Sequence, residues 1–152
     1  MNRPTLLNTG IRDVSFGKGV TVVQPVNLYE CTVDDNCFIG PFVEIQKGVK
    51  VGEGTKIQSH SFLCELVTIG NNCFIGHGVM FINDKFSSGK PAGGDVQNWF
   101  ATNIADRVSI GSNATILPVS ICADVVIGAG SVVTKNITEP GTYVGNPAQK
   151  IK

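Results

Sequence analysis

Residues 33–81 read VDDNCFIGPFVEIQKGVKVGEGTKIQSHSFLCELVTIGNNCFIGHGVMF. A branched aliphatic or large apolar residue returns at every sixth position: Val33, Ile39, Ile45, Val51, Ile57, Leu63, Ile69, Ile75 and Phe81. Four residues after each of the first eight, the side chain is small or β-branched: Cys37, Val43, Val49, Thr55, Ser61, Val67, Cys73 and Val79. A spacing of six fits neither the helical period of 3.6 nor simple strand alternation. It fits a short strand, a tight corner and another short strand, with one inward aliphatic per side. Three such sides close into a triangular coil of 18 residues, and successive coils pair in parallel at roughly 4.8 Å. Gly40, Gly52, Gly70 and Gly76 follow inward aliphatics directly, where a side chain would crowd the corner.

The pattern extends both ways. Phe16, Val22 and Leu28 keep the period and reach Val33 after a slip of one residue. Ile104, Ile110 and Ile116 resume it, slip by one, and pass to Ile121, Ile127 and Val133. The reading is a single all-β domain over residues 1–152: a parallel β-helix of about six triangular coils spanning about 14–138, then a tail at 139–152. The coils run 16–32, 33–50, 51–68, 69–103, 104–120 and 121–138. Phe81 and Ile104 are 23 residues apart where six are expected, so 17 are inserted within Asp84–Asn103. A long loop on a regular solenoid points to function, and Trp99-Phe100 near its end points to docking on a neighbouring subunit.

Composition narrows the partners. Twelve basic against twelve acidic side chains give a net charge of zero, which leaves no attraction for nucleic acid or an anionic membrane. With 42% hydrophobic and 16% charged residues the chain is not disordered. It has no apolar run of membrane-spanning length, and MNRPTLLNTG lacks a signal peptide's apolar stretch; a cytoplasmic location is expected. The five cysteines form no CxxC and read as small buried hydrophobes.

Adding 18 moves one coil along a column. Lys47, Glu65 and Asn83 share one column, at the point where the loop departs. Phe42, His60 and Gly78 share another, with Gly78 leaving space above His60, and Ser59 lies below His77. His60 reads either as a solvated corner residue or as a general base, since the chain offers few other bases near neutral pH. His77 reads as orienting His60 or lining the pocket. Gly40, Gly76, Gly111 and Gly128 form a low ridge suited to a long ligand. No nucleophile constellation is visible around Cys64, and two histidines 17 residues apart do not make a metal site.

The segments KIQSHSFLCELVTIGNNCFIGHGVMFINDKF (residues 56–86), VSIGSNATILPVSI, VIGAGSVVTKNI and VGNPAQKIK resemble the hexapeptide-repeat acyltransferases. Within that family they are most similar to the enzymes that acetylate the amine of dTDP-3-amino-3,6-dideoxyhexoses. Related UDP-aminosugar acetyltransferases carry two asparagines after the Gln, where this chain has Ser59-His60. The resemblance implies a left-handed coil, a homotrimer with sites between prisms, and acetyl-CoA as co-substrate with no metal. It implies direct attack by the sugar amine, with His60 as base and Glu65, His77, Asn83 and Asp84 around the sugar. Gly111, Gly128 and Ala129 would face the CoA arm, and Lys135, Lys150 and Lys152 near the C-terminal end would meet its phosphates. Another acceptor (a UDP-sugar, a 4-amino sugar or a sugar hydroxyl) and a non-catalytic scaffold are the alternatives.

Overall fold

The structure, a computed structural model describing residues 3–152, is a left-handed parallel β-helix with three flat faces. Face A holds seven strands: Ile11–Arg12, Asn27–Tyr29, Glu44–Ile45, Phe62–Leu63, Met80–Phe81, Thr115–Ile116 and Val132–Val133. Face B holds six, from Ser15–Phe16 to Ser120–Ile121, and face C eight, from Thr21–Val22 to the tail. Most strands are two residues long, because the sixth-position rule leaves room for one inward residue before the next corner. The register is the expected one: Ile39 pairs with Ile57, Ile75 with Ile110, Ile116 with Val133. Sixteen of these stacked aliphatics and aromatics, from Leu28 to Val133, are at most 3% exposed.

Among the described residues there are about seven coils, one beyond the six or so that the period marks, because face A begins at Ile11. Ile11 and Phe16 remain 42% and 39% exposed, since a first coil has a neighbour on one side only. The corner positions four residues after each inward aliphatic are buried as well. Where they are polar they are satisfied: Thr55 Oγ1 donates to Gly70 O and Ser61 Oγ to Gly76 O, each at 2.8 Å. Most corners also carry a left-handed residue. Between faces C and A that residue is Phe42, His60, Gly78, Asn113 or Gly130, with φ from 59° to 68°.

Phe81 and Ile116 lie on successive strands of face A, so the inserted segment leaves the prism after one coil and returns at Thr102–Ile104, which pairs with Val67–Ile69. It carries one turn of 3-10 helix at Val96–Asn98, capped by Asp95. The C-terminal segment is no free tail. Gly141–Val144 adds a parallel strand to face C, and Gln149–Lys150 folds back antiparallel on it. Among the described residues no helix is long and apolar enough to cross a membrane.

The glycine column at Gly40, Gly76 and Gly111 is present, but stacking explains it more directly than a ligand does. A Cβ on Gly76 would lie 2.7 Å from Ile110 O and 2.8 Å from Ser112 N, both backbone atoms of the next coil. Gly76→Ala should therefore cost roughly 1–3 kcal/mol through overpacking, read as a lower denaturant midpoint. An unchanged midpoint would show that the coils can separate there at no cost.

Candidate functional site

His60 lies in the corner between Lys56–Ile57 and Phe62–Leu63, exposed, at φ 64°. Its ring stacks on that of Phe42 one coil before, with centroids 4.9 Å apart and planes at 19°. A bulky side chain in the left-handed region costs more than Gly or Asn would there. On the next coil His77 Nδ1 hydrogen-bonds Ser59 Oγ at 2.9 Å, which confirms the column and leaves Nε2 as the unengaged ring nitrogen. The space expected above His60 is partly taken. A Cβ on Gly78 would meet Asn113 Oδ1 at 2.5 Å, so a carboxamide from the following coil fills part of it.

Glu65, Asn83 and Asp84 occupy the other edge of face A. Asn83 Nδ2 donates to Glu65 O at 3.2 Å, and Lys47, in the same column, pairs with Glu30 at 3.1 Å. His60 and Glu65 are five positions apart along the chain, a span of at most about 16 Å. One chain thus brings the histidines together and, separately, the acidic and amide groups; the two sets bracket face A.

Between face A and the base of the inserted loop lies a cleft of about 470 Å³, lined by Tyr29, Gln46, Phe62, Glu65, Asn83 and Trp99 among others. Asp84 anchors the loop instead of pointing a free carboxylate at a ligand. Its Oδ1 accepts from Phe86 N at 2.8 Å, its Oδ2 from Ala92 N at 2.7 Å, and its backbone bridges to Trp99. Trp99 is half-buried within its own chain, whereas Phe100 is 41% exposed under the Lys85 ammonium.

At the C-terminal end a hollow of about 270 Å³ is lined by Lys135, Tyr143 and Lys150. Lys150 pairs with Glu139 at 3.0 Å, whereas Lys135 makes no ion pair among the described residues. Gly111 is needed for stacking, as its Cβ would run into the backbone of Ala129, while Gly128 faces the Val144 side chain. Lys152 is exposed. No three His, Cys, Asp or Glu side chains gather as metal ligands among the described residues.

Cys64 lines the cleft but is no nucleophile, because burial pushes its thiol up to about 12. Sequence reading passed over Glu44, a half-buried carboxylate on face A that accepts hydrogen bonds from Asn27 and Gln46. Outward positions have no period of their own; only the column Asn27, Glu44, Phe62 could have drawn attention to it.

Two hexapeptide families match the chain. The bacterial transferase hexapeptide (six repeats) covers residues 30–64, and the hexapeptide repeat of succinyl-transferase covers 66–80 and 102–135, interrupted where the loop departs. The bifunctional protein GlmU of Streptococcus uberis is 31% identical over 149 residues, 97% of this chain but 30% of that protein. The chain thus spans about a third of the length of such relatives. A hexapeptide-repeat acetyltransferase from Vibrio cholerae, solved with acetyl-CoA, superposes with a TM-score of 0.68 at 22% identity, covering 81% of this chain and 70% of that one. AntD from Bacillus cereus, an N-acyltransferase solved with dTDP-4-amino-4,6-dideoxyglucose and coenzyme A, gives 0.51 at 23% identity, covering 93% and 81%.

Two outcomes follow from this geometry. Asp84→Ala should release the loop, seen as faster proteolysis within residues 85–98 with an unchanged far-UV spectrum; equal cleavage rates would remove the anchoring role. Burial also raises the Cys31 thiol, to about 11, so below that range neither it nor Cys64 holds a thiolate. Iodoacetamide at neutral pH should label the half-buried Cys122 and spare both of them until the protein is denatured; native-state labelling of Cys64 would contradict this.

Proposed function

We propose that this chain, which belongs to the hexapeptide-repeat transferases, is an acetyl-CoA-dependent N-acetyltransferase acting on a nucleotide-linked amino-dideoxy sugar. A dTDP-3-amino-3,6-dideoxyhexose is the favoured acceptor. The observation that carries this reading is the His60 corner: an exposed imidazole held in a left-handed conformation and stacked on Phe42, at the edge of a face with an aromatic and acidic cleft. Ten other non-glycine residues among those described also hold positive φ; what sets His60 apart is its imidazole, which suits proton transfer near neutral pH. AntD, with the same coil architecture, was solved with a dTDP-amino sugar and coenzyme A, which fits an acceptor of that class.

In the proposed reaction the sugar amine attacks the thioester carbonyl. A C–N bond forms as the C–S bond breaks, His60 takes a proton from nitrogen, backbone N–H groups hold the oxyanion, and CoA leaves as the thiol. Glu65 and Asn83 would hold hexose hydroxyls, and Asp84 would keep the loop over them. The CoA arm would follow the corners at Gly111, Gly128 and Ala129 toward Lys135. Because His60 and the cleft lie on opposite edges of face A, a homotrimer would complete each site, with one prism supplying the base and its neighbour the cleft.

Acetyl-CoA at a hundred times its Kd should stabilise the protein by about 2.7 kcal/mol, measured as thermal protection. His60→Asn should keep the fold and this protection while lowering kcat by about 10². His77→Asn should act mainly on KM. A His60→Asn enzyme that keeps more than about a third of wild-type kcat would remove His60 as the base, since general-base catalysis contributes more than that.

A further inference from the structure

Glu44 is half-buried on the outer surface of face A. Its Oε2 accepts from Asn27 Nδ2 at 3.1 Å and its Oε1 from Gln46 Nε2 at 2.9 Å. No cation pairs with it: the ion pairs among the described residues are Lys47–Glu30, Arg107–Asp124 and Lys150–Glu139. With its NH₂ turned to Glu44, Asn27 leaves Oδ1 shut off from solvent and without a hydrogen-bond partner. Such an acceptor is costly unless something donates to it.

Asn27 and Glu44 line a small cavity of about 220 Å³ whose further wall includes Phe42, the ring stacked on His60. On the other side Gln46 carries the network into the cleft with Tyr29 and Glu65. The hydrogen-bonding inventory is lopsided. Glu44, Glu65 and Asn27 Oδ1 are acceptors, while both carboxamide NH₂ groups of Asn27 and Gln46 already donate to Glu44. Two cations border this group: Arg12 lies over the Tyr29 ring and donates to Asn8 O, and Lys47, in the Glu65 column, is paired with Glu30. Desolvation, then the carboxylates of Glu44 and Glu65, raise the Tyr29 hydroxyl above its usual pKa against the opposing Arg12. This surface repels phosphate and suits a cationic donor.

We propose that Glu44, held in place by Asn27 and Gln46, anchors the ammonium group of the acceptor sugar beside Phe42 and one coil from His60. The assignment rests on the acetyltransferase reading above and adds the charge state in which the acceptor binds. An ammonium that becomes an amide loses two protons. One is carried off through His60 to solvent, and the other accounts for the thiol proton of the departing CoA, so the balance closes without another reactant. Glu44 touches the amine and holds it in place; it does not remove the proton.

The test is titration calorimetry on the whole protein without acetyl-CoA, using methyl 3-amino-3-deoxyglucoside and methyl glucoside, which differ in an ammonium against a hydroxyl. The amine should bind about tenfold tighter or more, as expected for a hydrogen bond between charged groups. Glu44→Gln, which keeps the side-chain volume and can donate to Asn27 Oδ1, should abolish that preference while acetyl-CoA still protects against unfolding. Asn27→Ser, a second variant, should reduce it. Equal binding of the two sugars, binding by neither, or a preference that survives in Glu44→Gln overturns the proposal. Amine preference without acetyl transfer would keep the ammonium anchor and remove the acetyltransferase reading; acetyl transfer without amine preference would do the reverse.

Discussion

Each coil lies on the next through backbone hydrogen bonds such as Gly40 N to Ile57 O and Gly76 N to Ile110 O, both at 2.8 Å. Those bonds tolerate one strand spacing per coil and no more. From that constraint the rest of the molecule follows. An inward aliphatic must sit above the last one, most corners turn through a residue at positive φ, and a side chain that would touch the neighbouring coil must be absent. The 17-residue insertion obeys it by leaving the prism entirely: Val67 pairs with Thr102, and the coils on either side close as though nothing intervened.

Corners are also where such a fold has freedom. Inward positions are filled by apolar side chains and the coils are locked by their ladders, so chemistry has to be placed on outward faces and at turns. The corner between faces C and A shows the consequence. Gly78, Asn113 and Gly130 occupy its left-handed position at low cost, whereas Phe42 and His60 hold bulky rings there, stacked on one another. Face A then grades from the polar group Asn27, Glu44 and Gln46 to the apolar Phe62 and Met80 beneath the loop. An elongated, amphipathic ligand suits such a surface better than a compact one.

Periodic features were legible because stacking enforces them. Val33 to Phe81, both one-residue slips and the length of the insertion could be counted, and Ser59 under His77 could be placed to within a hydrogen bond. What could not be counted had no period. The extra coil was hidden because Ile11, exposed and five positions before Phe16, falls outside the six-residue period. Asp84 read as a ligand to sugar, yet its carboxylate is spent on Phe86 N and Ala92 N, a local loop contact that column arithmetic does not reach. The tail's return onto face C depends on Gly141–Val144 matching Val125–Ile127 after an irregular spacing. The separation of His60 from Glu65 was implicit in the coil, since one lies before a strand and the other after it, but sequence proximity to the loop obscured it.

The most direct measurement is thiol release from acetyl-CoA across a panel of nucleotide-linked amino sugars, each beside its hydroxyl counterpart. CoA thiol should appear with an amino sugar, in equal amount to N-acetylated product, and not with the hydroxyl counterparts. Thiol release that ignores the acceptor, or that follows a hydroxyl in place of an amine, would contradict the account.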